Sequence, residues 1–185
     1  MPAAYQGNVI GMTRSPQRAI LVDDHGLVRS GIRQMIESMT EDTIVVGETN
    51  SGRDALKLLD RLRIDLLITD LSMPDMDGIS LIKAERKRNP GVNCIVISMH
   101  TNNEYVAAAL RAGACGYLSK NASAEELLQA LQAARDGGHY LHSSIAGSVV
   151  DMLRDSEALS SPLDVLSERQ REVITVEQSG VREVK

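Results

Sequence analysis

The amino-acid sequence predicts a three-layer α/β sandwich built on a parallel sheet. Three observations predict it. Short β-rich apolar runs alternate with longer stretches whose apolar residues recur at helical spacing. The runs are apolar throughout, as in Leu66-Leu67-Ile68, which suits strands covered on both faces. The β-α units repeat in single file, so each strand is joined to a parallel neighbour through a helix with right-handed crossovers.

The elements follow in order. Residues 1–18 carry no periodic pattern and are expected to be a disordered extension, within which Met12 is an alternative start. Strands are predicted over 19–22, 43–46, 66–69, 93–98 and 116–119. Between them, Val28, Ile32, Met35 and Met39 give one helix face, and Ala55, Leu58, Leu59 and Leu62 give a second. Leu127, Leu128 and Leu131 give a later one. Thr101 stands three residues before Glu104 and Ser123 three before Glu126, the reciprocal capping pattern that satisfies free N–H groups at a helix start. After Gly137-Gly138 the alternation stops. Residues 139–165 read as a linker with one short helix (Ile145, Val149, Met152, Leu153) and a polar stretch. A new helix is expected from Ser167, with Gln170 as its capping partner and Val173 and Ile174 as its apolar positions.

Composition narrows the function. Among 185 residues there is no Trp, no Phe and only four Tyr, so the core must be aliphatic and stacking of aromatic rings on bases is excluded as a main mode of recognition. A formal charge of -5 gives no general attraction to phosphate backbones, and any nucleic-acid contact requires a local basic patch. Nowhere do about 18 apolar residues follow one another, as a membrane span requires. Cys94 and Cys115 sit in apolar surroundings without ligand-like spacing and read as reduced packing residues, which fits a cytoplasmic protein.

In open parallel sheets the functional crevice lies outside the carboxyl ends of the strands. Here those ends are polar. The first strand runs into Asp23-Asp24, the third into Asp70, the fourth ends in Ser98 and the fifth leads to Lys120. Several carboxylates at one edge repel one another unless a hard divalent cation neutralises them, and Mg2+, which takes oxygen ligands and keeps several waters, is the natural candidate. Asp70 is the best nucleophile, a lone carboxylate after the most apolar strand and before the exposed loop Met73-Pro74-Asp75-Met76-Asp77-Gly78. Lys120 supplies a mobile point charge and Ser98 a hydroxyl for the oxygens of a transferred phosphoryl group.

Five motifs in order, Ile20-Leu21-Val22-Asp23-Asp24-His25, Leu67-Ile68-Thr69-Asp70-Leu71-Ser72-Met73-Pro74, Asp77-Gly78, Ile97-Ser98 and Gly116-Tyr117-Leu118-Ser119-Lys120, resemble the receiver domain of bacterial two-component response regulators. The resemblance covers about two thirds of the chain, over residues 19–138. It implies a flavodoxin-like fold with strand order 2-1-3-4-5, an order for which a receiver protein is itself a standard illustration. It also implies Asp70 as phosphoacceptor, Asp24 and the Ser72 carbonyl as Mg2+ ligands beside Asp70, Asp23 acting on the metal through water, and Ser98 with Lys120 holding the phosphoryl group. Tyr117 would be the aromatic switch that turns inward when Ser98 closes on the phosphate. Asn121 departs from the family, where proline often follows the lysine with a cis peptide, a geometry costly without proline.

Leu166-Ser167-Glu168-Arg169-Gln170-Arg171-Glu172-Val173-Ile174 resembles, over a shorter stretch, the opening of the helix-turn-helix domain of the NarL/FixJ (LuxR-type) class. Residues 166–185 would then be an incomplete DNA-binding domain, ending before a recognition helix and more acidic than basic. The resemblance implies a sensor histidine kinase as phosphodonor, a homodimer on phosphorylation, and promoter DNA as target only for a chain with the complete domain. The alternative is a protein-interaction module, phosphorylation-regulated or not, without DNA binding. An aspartate-nucleophile phosphohydrolase fits less well, because Asp23-Asp24-His25 lacks the Asp-x-Asp pattern. Gly47 to Asp54 imitates a phosphate-binding loop but lacks its lysine, and His139 with His142 lacks a third ligand, so both read as structural.

Overall fold

The computed structural model describes residues 14–143 together with Ile145 and Val149. Residues 1–13, Met152, Leu153 and the predicted helix-turn-helix region 166–185 lie outside the described residues.

The sheet contains β1 (Gln17–Val22), β2 (Thr43–Thr49), β3 (Leu66–Thr69), β4 (Asn93–Ser98), β5 (Gly116–Ser119) and β6 (Tyr140–Leu141), in the order β2-β1-β3-β4-β5-β6. Every pairing is parallel. The helices are α1 (Gly26–Met39), α2 (Gly52–Arg61), α3 (Gly78–Arg88), α4 (Asn103–Ala112) and α5 (Ala124–Arg135). Alternate strand residues feed two cores. Ile20, Val22, Leu67, Cys94, Val96 and Tyr117 meet Ala55 of α2, Leu81 and Ile82 of α3, and Val106 and Leu110 of α4. Ala19, Leu21, Leu66, Ile68, Ile95, Ile97 and Leu118 meet Ile32 and Ile36 of α1 and Leu127, Ala130 and Leu131 of α5. This is why the strands read as unbroken apolar runs: neither face of the sheet is left to water.

Four expectations are corrected. β1 begins at Gln17 rather than at residue 19, since Gln17 pairs with Thr43 and its N–H donates to the Asp42 carbonyl at 2.7 Å; polar side chains hid this start from a hydrophobic reading. The extension therefore cannot run to residue 18: Arg14 already pairs with Asp136 at 3.3 Å. A sixth strand follows α5, inside the stretch read as linker. The cap of α4 is Asn102, without a side-chain hydrogen bond, and not Thr101. The Ser123 and Glu126 capping box forms in full at α5, and Ile145, on the predicted short helix, is fully buried. Among the described residues no peptide bond is cis, so the Lys120-Asn121 peptide is trans.

Candidate functional site

Parallel pairing puts the carboxyl ends of β1, β3, β4 and β5 at one edge of the sheet. Asp70 N–H donates to the Val22 carbonyl at 2.8 Å, which sets Asp70 beside Asp23, and Lys120 N–H donates to the Ser98 carbonyl at 3.0 Å. Four side chains, Asp23, Asp24, His25 and Asp70, bring ligand atoms within 4.8 Å of one another. Asp23 and Asp70 are buried, whereas Asp24 and His25 are open to solvent.

Lys120 closes the group from the β5 side. Its Nζ lies 2.7 Å from Asp70 Oδ2 and 2.8 Å from Asp23 Oδ2, with the side chain almost wholly buried. Burial alone would pull the ammonium pKa down; the close carboxylates of Asp23 and Asp70, the latter hydrogen-bonded to Nζ, outweigh it and hold it above its usual value. Asp23 Oδ2 lies close to Nζ yet accepts no well-directed hydrogen bond, while Asp23 Oδ1 takes the His25 N–H at 2.7 Å. His25 Nδ1 lies 2.8 Å from Asp24 Oδ1. Three carboxylates thus face one ammonium, leaving an imbalance of the size a divalent cation corrects, and the oxygen-rich donors suit Mg2+.

The loop after Asp70 is held tightly. Asp70 Oδ1 accepts the Leu71 N–H at 2.6 Å, and Gly78 N–H returns to the Leu71 carbonyl at 3.0 Å. A Cβ on Gly78 would stand 2.1 Å from the Asp70 carbonyl oxygen, so the start of α3 must be glycine for the loop to pass this close. Asp77 caps α3 through the Ser80 N–H at 2.8 Å.

Two expected members meet the cluster indirectly. Ser98, fully buried, accepts the His100 N–H on Oγ at 3.2 Å, and Ser72 Oγ lies 2.9 Å from His100 Nε2. Tyr117 is fully buried and points inward, its hydroxyl donating to the His100 carbonyl at 2.6 Å. Burial pushes its phenol up to about 12, so it stays a donor. His100 therefore touches Ser72, Ser98 and Tyr117 at once, and its ring stacks on Tyr105 with centroids 4.5 Å apart. No sequence motif singles out His100, because its central place depends on contacts across 17 and 28 residues. Asp75 was missed as well. It reaches α2 from the β3–α3 loop, accepting from Ser51 Oγ at 2.7 Å and from the Arg53 N–H at 2.9 Å. His142, read as a loop residue, pairs with Glu126 at 2.9 Å. Gly47 lies inside β2 and Gly52 opens α2, as structural residues do.

Comparison with known proteins agrees with this geometry. The family described as the response regulator receiver domain matches residues 19–132. The response regulator UvrY of Escherichia coli (strain K12) is 35% identical over 161 residues, 87% of this chain and 73% of UvrY. Among solved structures, a LuxR-family two-component response regulator from Aurantimonas superposes with a TM-score of 0.70 at 30% identity, covering 75% of this chain and 98% of that one. RcsB from Salmonella enterica serovar Typhimurium, bound to promoter DNA in the presence of the phosphomimetic BeF3-, gives 0.70 at 30% identity over 89% of this chain and 78% of its own. A receiver match over more than half the chain, together with a regulator this similar across most of its length, establishes that the chain belongs to the two-component response regulators.

Proposed function

We propose that this chain is a cytoplasmic switch for transcription whose state is set at Asp70, the acceptor of a phosphoryl group from a phosphohistidine on a sensor histidine kinase. The single observation that carries the reading is the burial of Lys120 Nζ against both Asp70 and Asp23 beside the exposed Asp24. A buried ammonium aimed at one particular carboxylate is what a site that gains negative charge requires.

A carboxylate oxygen of Asp70 forms the new P–O bond as the donor's P–N bond breaks, the electron pair leaving with the imidazole nitrogen. Asp24, Asp70 and the Ser72 carbonyl would hold Mg2+, with Asp23 acting through water, and the bound ion would supply positive charge opposite the transferred oxygens. Lys120 shifts from balancing two carboxylates to binding the phosphoryl group. The Ser98 hydroxyl, which accepts from the His100 N–H and also meets the Tyr117 phenol, turns its proton to a phosphoryl oxygen. Tyr117 senses that closure through the His100 carbonyl. Water returns the switch to rest by hydrolysing the acyl phosphate. Response regulators are signalling proteins rather than enzymes acting on an outside substrate, and this slow self-hydrolysis is timing, not turnover.

Residues 166–185 are assigned to the start of a LuxR-type helix-turn-helix domain; a chain carrying that domain in full binds promoter DNA as a phosphorylation-stabilised homodimer. No helix among the described residues is long and apolar enough to cross a membrane. Borohydride trapping after phosphorylation by an acyl phosphate tests the acceptor. Peptide masses should report homoserine at position 70; homoserine at position 23 or 24 instead would overturn the assignment.

A further inference from the structure

The edge of β5 is covered by the chain that follows α5. Tyr140 N–H donates to the Cys115 carbonyl at 2.9 Å and His142 N–H to the Tyr117 carbonyl at 3.1 Å. Two residues of strand are too few to hold this position alone. Two side-chain anchors add to them. His142 Nε2 lies 2.9 Å from Glu126 Oε1, on the same carboxylate whose other oxygen caps α5 through the Ser123 N–H. Ile145, fully buried, enters the apolar cluster that contains Tyr117, Val106, Ala109 and Leu110, with Val149 packed against it. Its N–H donates to the His142 carbonyl at 2.8 Å, which ties the plug to the strand.

Tyr117 is consequently held from two directions. Its hydroxyl bonds the main chain two residues past Ser98, and its own carbonyl receives the sixth strand. We propose that the segment carrying Tyr140, Leu141, His142, Ile145 and Val149 is a strap whose docking is coupled, through Tyr117, to occupancy of the phosphoryl site, the inward ring and the docked strap each favouring the other. The inference rests on Asp70 being the phosphoacceptor. When Ser98 closes on a phosphoryl oxygen, the Ser98-to-His100 segment is fixed, and with it the carbonyl that keeps the phenol inside. The ring and Ile145 fill one close-packed cluster, so an outward ring would leave the plug beside a void. Coupling between two sites is reciprocal: whatever the phosphoryl group adds to strap docking, the strap adds to phosphoryl binding. The strap is also the stretch of chain that leads out of the receiver, so its docking is a direct output of the switch.

The test uses the full chain with Mg2+ and BeF3- as the phosphoryl mimic. Amide exchange at Tyr140 and His142 should slow when BeF3- binds, and Ile145→Ala should weaken BeF3- affinity about fivefold or more. Tyr117→Phe, which keeps the ring and loses the hydroxyl, should bind BeF3- without slowing exchange at those two amides. Unchanged exchange in BeF3--bound wild type, or equal affinity in Ile145→Ala, would overturn the strap while leaving the phosphoacceptor in place. Folded wild type that binds no BeF3- would overturn both.

Discussion

Asp70 and Glu85 are buried to the same degree, 4% and 3% exposed, at opposite poles of one sheet, and the fold treats them in opposite ways. Asp70 has Lys120 Nζ at 2.7 Å and the Leu71 N–H at 2.6 Å. Glu85, near the end of α3, lines the polar cleft formed with Arg18, Asp60, Arg63 and Asp65, but its Oε2 has no hydrogen-bond partner among the described residues, and burial raises its pKa. A buried carboxylate is destabilising unless charge and hydrogen bonds compensate it. At the carboxyl edge that compensation is built from three strands and is there to be rearranged. At the amino edge no hydrogen bond reaches Glu85 Oε2 among the described residues, and burial is the cause that raises its pKa. The contrast teaches that burial of charge does not by itself mark a site; the organised counter-charge does.

Removing the counter-charge should give the largest effect. Lys120→Met leaves Asp23 and Asp70 buried against each other and should cost about 3 kcal/mol in urea unfolding at neutral pH. A variant as stable as wild type would mean that Lys120 is not what makes burial of this pair tolerable. At the other pole the sign reverses. Glu85→Leu removes an uncompensated carboxylate and should raise stability by about 1 kcal/mol at pH 7. Because the folded-state pKa of Glu85 is raised above 4.5, the wild type is relatively most stable below that value and loses ground as pH rises through the folded pKa; the gain from Glu85→Leu should therefore shrink in acid. A loss of stability at pH 7 would show that Glu85 is compensated after all.

Asp75 sharpens the comparison with a carboxylate whose two oxygens both accept hydrogen bonds. The Arg53 N–H and the Ser51 hydroxyl hold its pKa down to about 2, from 3.8. A depressed carboxylate stabilises above its unfolded-state pKa, and the contribution fades as pH falls through the folded one. The Tm of Asp75→Ala should thus lie below that of wild type at pH 6, with the gap closing between pH 3.8 and about 2. A gap independent of pH would assign the loss to packing instead.

These residues also show what could be read in advance. Asp23, Asp24, Asp70 and Lys120 were legible because each follows or lies one residue past a strongly apolar strand, and parallel pairing then has only one edge to put them on. Five strands and the α5 capping box were legible for the same local reasons. Glu85 was not, since it stands on the same buried face of α3 as Leu81 and Ile82, where only packing reveals a carboxylate in an apolar position. Nor was Asp75, whose partner Ser51 is 24 residues away. Tyr140 and Leu141 are too few to show a strand's alternation, and their pairing is set by Cys115 and Tyr117 rather than by their own pattern.

The central claim is that the compensated carboxylate is the one that reacts. Intact mass after incubating the chain with Mg2+ and a small acyl-phosphate donor, alongside Asp70→Asn, tests it most directly. One added phosphoryl group, removed by hydroxylamine and absent from the variant, is the predicted result. Folded, Mg2+-bound protein that gains no mass, or an equal adduct on Asp70→Asn, would contradict it.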